Sequence, residues 1–212
     1  MNLILLGAPG AGKGTQAELL TEKLSIPAIS TGNMLREAMA NGSALGQMVK
    51  KIMEEGSLVP DDVILGIVAE RVSKDDCAAG FILDGVPRTL AQAEALEEKG
   101  VRIDHVVSIE VEDSQIEGRM TGRRVCGSCG ASYHVVANPP KLDGVCDQCQ
   151  GQLIIRKDDA PETVRHRLDV YHQQTEVLKD FYAERNLLRL VEGNQAITKI
   201  TDEILEKIGA SV

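Results

Sequence analysis

The sequence predicts an α/β protein: a parallel sheet covered by helices on both faces, carrying one helical and one cysteine-rich insertion. Three observations predict it. Short apolar runs alternate with helix-period segments along most of the 212 residues. The stretch Gly7-Ala-Pro-Gly-Ala-Gly-Lys-Gly-Thr15 joins the first apolar run to the first helix. From Gly122 to Asp159 the alternation stops, and the chain becomes rich in Cys, Gly, Pro and polar residues.

Met1 to Leu6 is apolar except for Asn2, which fits a short buried strand. Thr15 to Leu24 has helical spacing, with Ala17, Leu19, Leu20 and Leu24 apolar and Glu18, Thr21, Glu22 and Lys23 polar. Ile26 to Ser30 reads as a second strand, and Thr31-Gly32 leads into a helix over Asn33–Met39. Asn41-Gly-Ser43 is a turn, and Ala44 to Glu55 is a helix stopped at Gly56. Leu58-Val59-Pro60 is extended, and Asp61-Asp62 cap a helix to about Val72. Residues 30–59 therefore form a helical insertion with no strand of their own.

Gly80 to Gly85 is an apolar run ending at Asp84, as a buried parallel strand ends where α/β sheets place ligand groups. Thr89 to Lys99 is helical, His105 to Val111 is a strand, and Asp113 to Arg119 begins a helix. Past the cysteine-rich stretch, helical periodicity runs from Pro161 to about Tyr182. A strand at Leu187–Val191 and a helix at Ile197–Ile208 complete the pattern.

The chain is 43% hydrophobic and 26% charged, which suits a globular protein with a sizeable core. Two Phe, three Tyr and no Trp make that core aliphatic. A formal charge of −9 argues against general binding to nucleic acid or an anionic membrane, which needs a basic face. A small anion held by local arginines is still compatible with it. No apolar run approaches the roughly 20 residues of a membrane-spanning helix. Met1 leads straight into the first strand, so the expectation is a cytoplasmic chain without a targeting leader. Its five cysteines then stay out of disulfides.

The motif G-x-x-x-x-G-K between a strand and a helix is a loop that cradles phosphates. Gly7, Gly10, Gly12 and Gly14 are read as positive-φ positions that let the backbone approach an anion closely. Inward N–H groups form a nest, and the following helix adds its positive end. Lys13 is a mobile point charge for the β- and γ-phosphates. The hydroxyl that usually follows the lysine comes one residue later, at Thr15.

Cys126-x-x-Cys129, sixteen residues, then Cys146-x-x-Cys149 has the spacing of a four-thiolate zinc site. Four protein ligands leave no open position, so the metal is structural, and iron or cobalt could occupy the same thiolates. Cys77 stands apart and reads as packing. Arg36, Arg88, Arg119, Arg123, Arg156 and Arg167 fall near element ends, where planar bidentate donors suit phosphoryl oxygens. Arg165 and Arg167 are two apart on one helix, so at most one points at the loop. Arg123 and Arg124 raise the same question. In Arg156-Lys-Asp158-Asp159, acidic and basic groups can exchange partners.

Taken together, these motifs resemble the adenylate kinases, in their bacterial long-lid, zinc-binding type, over essentially the whole chain. The resemblance rests on the loop at 7–15, Ser30-Thr-Gly32, Leu58-Val-Pro-Asp61, Phe81-Ile-Leu-Asp-Gly-Val-Pro-Arg88, Arg119 with Gly122-Arg-Arg124, the four cysteines, and Arg156-Lys-Asp-Asp-x-Pro-Glu-Thr-Val164.

It implies a three-layer fold on a five-stranded parallel sheet. The core would comprise 1–29, 60–121 and 160–212, with an AMP-binding domain at 30–59 and a zinc-binding lid at 122–159. It implies phosphoryl transfer between MgATP and AMP, giving ADP, by a monomer. Carried over by motif, Gly10, Ala11, Gly12, Lys13, Gly14, Thr15, Arg119, Arg123, Ser132, Tyr133 and Gln195 would bind ATP. Thr31, Arg36, Ser57, Leu58, Val59, Gly85, Arg88, Gln92, Arg156 and Arg167 would bind AMP, with Gln92 pairing to the adenine edge. Lys13, Arg88, Arg123, Arg156 and Arg167 would act on the transferring group, and Asp84 would hold Mg2+ through water.

Two other functions fit parts of the sequence. A kinase for another nucleoside monophosphate, UMP or CMP, differs only in a few base contacts. A zinc-ribbon nucleic-acid module joined to a nucleotide switch conflicts with the negative charge and the few aromatics. Val86, Asn33, Ala137 and Val177 stand where the family usually has an aromatic, Asp, Phe and Pro. These departures leave the charged phosphate ligands intact, so activity should survive with altered stability or flexibility. The triple variant Val86→Phe, Ala137→Phe, Val177→Pro should therefore differ from its parent in melting temperature or turnover. Identical melting and kinetics would refute that expectation.

Overall fold

The computed structural model describes residues 1–210. Its central sheet has five parallel strands: β1 (Asn2–Leu6), β2 (Ala28–Ser30), β3 (Phe81–Asp84), β4 (His105–Glu110) and β8 (Leu188–Glu192), in the order β2-β3-β1-β4-β8. In β1, Leu3, Ile4 and Leu5 are at most 1% exposed. Ile4 and Leu6 enter one core layer with Leu83 and Val106, whereas Leu3 and Leu5 enter the other with Ile82 and Val107. The period of two thus feeds both faces of the sheet, which requires a helical layer on each side. Each fully buried Leu or Ile contributes about 1.5–3 kcal/mol relative to exposure.

The helices are α1 (Lys13–Leu24), α2 (Thr31–Ala40), α3 (Ala44–Glu54), α4 (Asp61–Val72), α5 (Leu90–Glu98), α6 (Asp113–Gly122), α7 (Pro161–Val170), α8 (Leu178–Glu184) and α9 (Ile197–Lys207). Several bounds differ from the sequence reading. Helix α1 starts at Lys13, which places the lysine in its first turn. Helix α2 takes in Thr31 and Gly32. Pro60, not the aspartates, holds the N-cap of α4, and Asp61 and Asp62 occupy its first turn. The continuous helix expected from Pro161 to Tyr182 is broken by a π-helical segment, Tyr171–Thr175. Cys77 is buried in the core as expected and accepts from Arg71 Nη1 at 3.0 Å.

The cysteine-rich stretch contains strands that the sequence did not announce. β5 (Arg123–Cys126), β6 (Ser132–His134) and β7 (Leu153–Ile154) form an antiparallel sheet in the order β6-β5-β7. Its buried cluster is only Cys126, Ala131, Tyr133, Cys146 and Leu153. No helix among the described residues is long and apolar enough to cross a membrane.

Helices α2 and α3 pack as a hairpin whose close approach depends on Gly46. A Cβ there would lie 2.1 Å from the Ala38 carbonyl oxygen. Gly46→Ala should therefore cost about 1–3 kcal/mol in urea unfolding, because two backbones must separate. An unchanged midpoint would show that the hairpin yields freely.

Candidate functional site

Strand β1 delivers the chain to the glycine loop at the carboxyl edge of the sheet. Gly7, Gly10 and Gly12 have φ of 137°, 85° and 105°, the left-handed region that favours glycine. Added Cβ atoms would lie 2.6 Å from the Ile109 carbonyl oxygen at Gly7 and 2.8 Å from Met120 Sδ at Gly10. Gly14 departs from the expected positive φ, since it lies in the first turn of α1, where a Cβ would sit 3.9 Å from Asp84 Oδ2. Lys13 Nζ donates to the carbonyls of Gly7 at 2.7 Å and Ala8 at 2.9 Å, folded back on its own loop.

This loop forms one wall of a cavity of about 530 Å³. All eleven residues expected on the ATP side border it, from Gly10–Thr15 through Arg119 and Arg123 to Ser132, Tyr133 and Gln195. Arg119 donates to Ala11 O at 3.3 Å and Gly193 O at 2.8 Å, so α6 is tied to the loop. Tyr133 borders the cavity, but its hydroxyl is turned towards Cys146.

A smaller cavity of about 50 Å³ adjoins the first and shares Gly32, Arg36, Gly56, Leu58, Gly85, Arg88, Arg156 and Arg167 with it. All ten residues expected on the AMP side line this second cavity. Thr31 Oγ1 donates to Gly85 O at 3.1 Å, and Arg88 Nε donates to the same carbonyl at 3.0 Å. Gln92 is 2% exposed and held at both ends of its amide. Its Oε1 accepts from Arg88 N at 2.7 Å, and its Nε2 donates to Asp61 Oδ1 at 2.7 Å. Ser57 Oγ lies 3.3 Å from His166 Nε2.

The cations come from separate elements. Arg36 is on α2, Arg88 follows β3, Arg123 opens β5, Arg156 follows β7 and Arg167 is on α7. Two carboxylates organise three of them. Asp159, 4% exposed, accepts from Arg123 Nε at 2.8 Å and also from Arg123 Nη2 and Arg167 Nη1. Asp158 accepts from Arg156 Nε at 3.0 Å and from Arg167 Nη1 at 2.8 Å. The other basic neighbours turn away: Arg165 pairs with Glu117 at 3.0 Å, and Arg124 donates to the carbonyls of Thr121 and Arg123.

Charge crowding is visible in the protonation equilibria. Burial, opposed by Asp84 and reinforced by Arg88, Arg167 and Arg123, lowers the Lys13 pKa to about 7. Burial and Arg156 lower Arg36 to about 9, and burial, opposed by Asp158, lowers Arg167 to about 9. Burial also lowers Arg88. For Asp158, burial pushes the pKa up, but Arg156, Arg167 and Arg36 outweigh it and hold the carboxyl well below its usual range. Such a site repels a further cation and attracts an anion.

The four cysteine Sγ atoms lie within 4.8 Å of one another. Cys126 and Cys149 are 3.4 Å apart, and Cys129 and Cys146 are 3.6 Å apart. A tetrahedron with metal–sulfur bonds of about 2.3 Å has edges of about 3.8 Å, so the cluster fits a four-thiolate ion. Ser128 N donates to Cys126 Sγ at 3.4 Å, as a tight C-x-x-C knuckle allows.

The adenylate kinase family model matches residues 5–187. The chain belongs to the adenylate kinase family. An adenylate kinase of Caldicellulosiruptor bescii is 54% identical over 99% of both chains. One from Geobacillus is 53% identical with the same coverage, and one from Archaeoglobus fulgidus is 53% identical over 98% of this chain and 99% of its own. The chain is therefore a nucleotide-binding kinase, a transferase of phosphoryl groups.

Sequence reasoning missed three site residues. Asp61 reads as a helix cap, yet it holds Gln92 and accepts from Thr89 Oγ1 at 3.1 Å. Thr175, in the π-helical segment, donates to the Arg88 carbonyl at 2.7 Å. His134 borders the larger cavity with Nδ1 accepting from Val136 N and Ala137 N, both at 3.1 Å. The place of Asp61 directly after Leu58-Val-Pro suggests a cap alone. Nothing local pointed to the other two.

Lys13 supplies a test. Burial lowers its pKa to about 7, so it loses charge as the pH rises through that value, and a bound polyphosphate should restore it. Titration calorimetry in buffers of different ionisation enthalpy should show uptake approaching one proton on ATP binding at pH 8 and almost none at pH 6. Equal uptake at both pH values would contradict the assignment.

Proposed function

We propose that the protein transfers a phosphoryl group reversibly from MgATP to AMP, giving two ADP. One observation carries the reading. The cavity at the phosphate loop and the Gln92-bearing pocket share a wall that includes Arg36, Arg88, Arg156 and Arg167, and these cations come from separate elements. A donor triphosphate suits the loop side and an acceptor monophosphate the smaller pocket.

On the donor side, the main chain of Gly10–Thr15 holds the phosphates, and Arg119 lies against the adenine. Ser132, Tyr133 and the main chain of Gln195 border that nucleotide. On the acceptor side, Thr31, Arg36, Ser57, Leu58, Val59, Gly85 and Gln92 hold AMP. Lys13 leaves the Gly7 and Ala8 carbonyls for the phosphate and acts with Arg88, Arg123, Arg156 and Arg167 on the transferring group. The attacking phosphate oxygen of AMP is already anionic, so no general base is needed. Catalysis is alignment plus stabilisation of charge on the equatorial oxygens. Asp84, at the carboxyl end of β3, would hold Mg2+ through water, and the ion would supply neutralisation of phosphate charge.

The segments 30–59 and 122–159 act as two covers on a core of 1–29, 60–121 and 160–212. Closure excludes water, which would otherwise take the phosphoryl group. Adenylate kinase lids are a standing example of such closure. Cys126, Cys129, Cys146 and Cys149 would hold Zn2+, which would supply the cohesion that the small lid core lacks. The protein works as a cytoplasmic monomer, without nucleic acid or membrane partners.

A coupled assay of ADP formation with AMP, CMP, UMP and GMP tests the reading. AMP should be the preferred acceptor, and Lys13→Met and Arg88→Ala should each lower kcat/KM by at least about 10²-fold. Preference for another monophosphate would reassign the acceptor. Near-normal turnover in both variants would overturn the assignment.

A further inference from the structure

We propose that Tyr133 is a positioning residue that ties the Cys146 thiolate of the metal site to the wall of the donor-nucleotide cavity. The inference rests on the proposed metal-site reading and adds a side chain outside the four ligands.

Tyr133 is 7% exposed and belongs to the small core that also contains Cys126 and Cys146. Its hydroxyl lies 3.5 Å from Cys146 Sγ and accepts from Asp147 N at 2.8 Å. That backbone bond leaves the phenol proton free to point at sulfur. A metal-bound thiolate has no proton to give, so Tyr133 is the donor and Cys146 the acceptor. Partners of this kind orient a ligand and tune its hold on the metal.

The same residue sits in the middle of β6. Side chains alternate along a strand, so Ser132 and His134 emerge on the face opposite Tyr133. Both border the cavity. The register pairs Tyr133 with Arg124 and His134 with Arg123, so the strand anchored at the metal also flanks a phosphate-facing arginine. The Tyr133 hydroxyl thus adds a link from the metal site to the donor wall, beside the one that Cys126 makes through β5.

Tyr133→Phe keeps the ring and removes only that group, so packing alone predicts no change. The first measurement is zinc content of the purified wild-type protein. The second is competition for the zinc with a chromogenic chelator, where the variant should hold it about 10–100-fold more weakly. The third is the sulfur-to-metal charge-transfer band of the cobalt-substituted proteins. Losing a hydrogen bond raises the sulfur lone-pair energy, so the band should move to longer wavelength in Tyr133→Phe. In the zinc-loaded variant the KM for ATP should rise more than kcat falls. A zinc-free wild-type protein would overturn the metal reading itself. A zinc-replete wild type with an equally retentive variant and an unshifted band would overturn only the role of Tyr133.

Discussion

Mutual repulsion among the cations at one cavity is the constraint on which the rest of the structure depends. Two unit charges 4 Å apart repel by about 4 kcal/mol at an effective dielectric of 20. The fold accepts that repulsion at Lys13, Arg36, Arg88, Arg123, Arg156 and Arg167, all of which border the larger cavity. Asp158 and Asp159 offset part of it and fix three guanidinium planes. They do so from one short 3₁₀ turn, Lys157–Asp159, between the cysteine-rich sheet and α7. The residual positive field favours an anion at the site, and the Gly7 and Ala8 carbonyls meanwhile accept from Lys13 Nζ.

Holding such charges requires rigid supports of different kinds. Arg88 follows the deeply buried strand β3, and its carbonyl is bound by Thr175. A π-helical segment re-aims a side chain that a regular helix would direct elsewhere, and such segments gather at functional sites. Arg36 stands on a helical hairpin that joins the main core through Leu35 and Val49. Arg123 stands on a sheet whose own core is five residues, two of them cysteines of the four-thiol cluster.

Much of the site was legible in linear sequence, because phosphate and metal chemistry demand fixed spacings. The glycine loop, the two C-x-x-C knuckles and Asp84-Gly-Val-Pro-Arg88 each carry their meaning within a few residues. Gly14 shows where local reading failed, since a glycine needed for close approach looks the same as one needed for a turn. Asp61 failed differently. An aspartate at a helix start is ordinary, so its place after Leu58-Val-Pro suggested a cap alone, although it also holds the distant Gln92.

By itself the sequence determined the parallel sheet, the phosphate loop, the thiolate set and the family, because each depends on periodicity or on spacing within one segment. Only the tertiary structure decided which arginines face inward. Arg123 and Arg124 are adjacent, and Arg165 and Arg167 share a helix, yet one of each pair turns away. Arg123 and Arg165 are turned by carboxylates 36 and 48 residues away, Asp159 and Glu117, which no local pattern records; Arg124 and Arg167 are held by nearer carbonyls and carboxylates. The break in the long helix and the three small strands of the cysteine-rich stretch were likewise visible only in the structure. The strands pair with one another, across loops that hide their register from a linear reading.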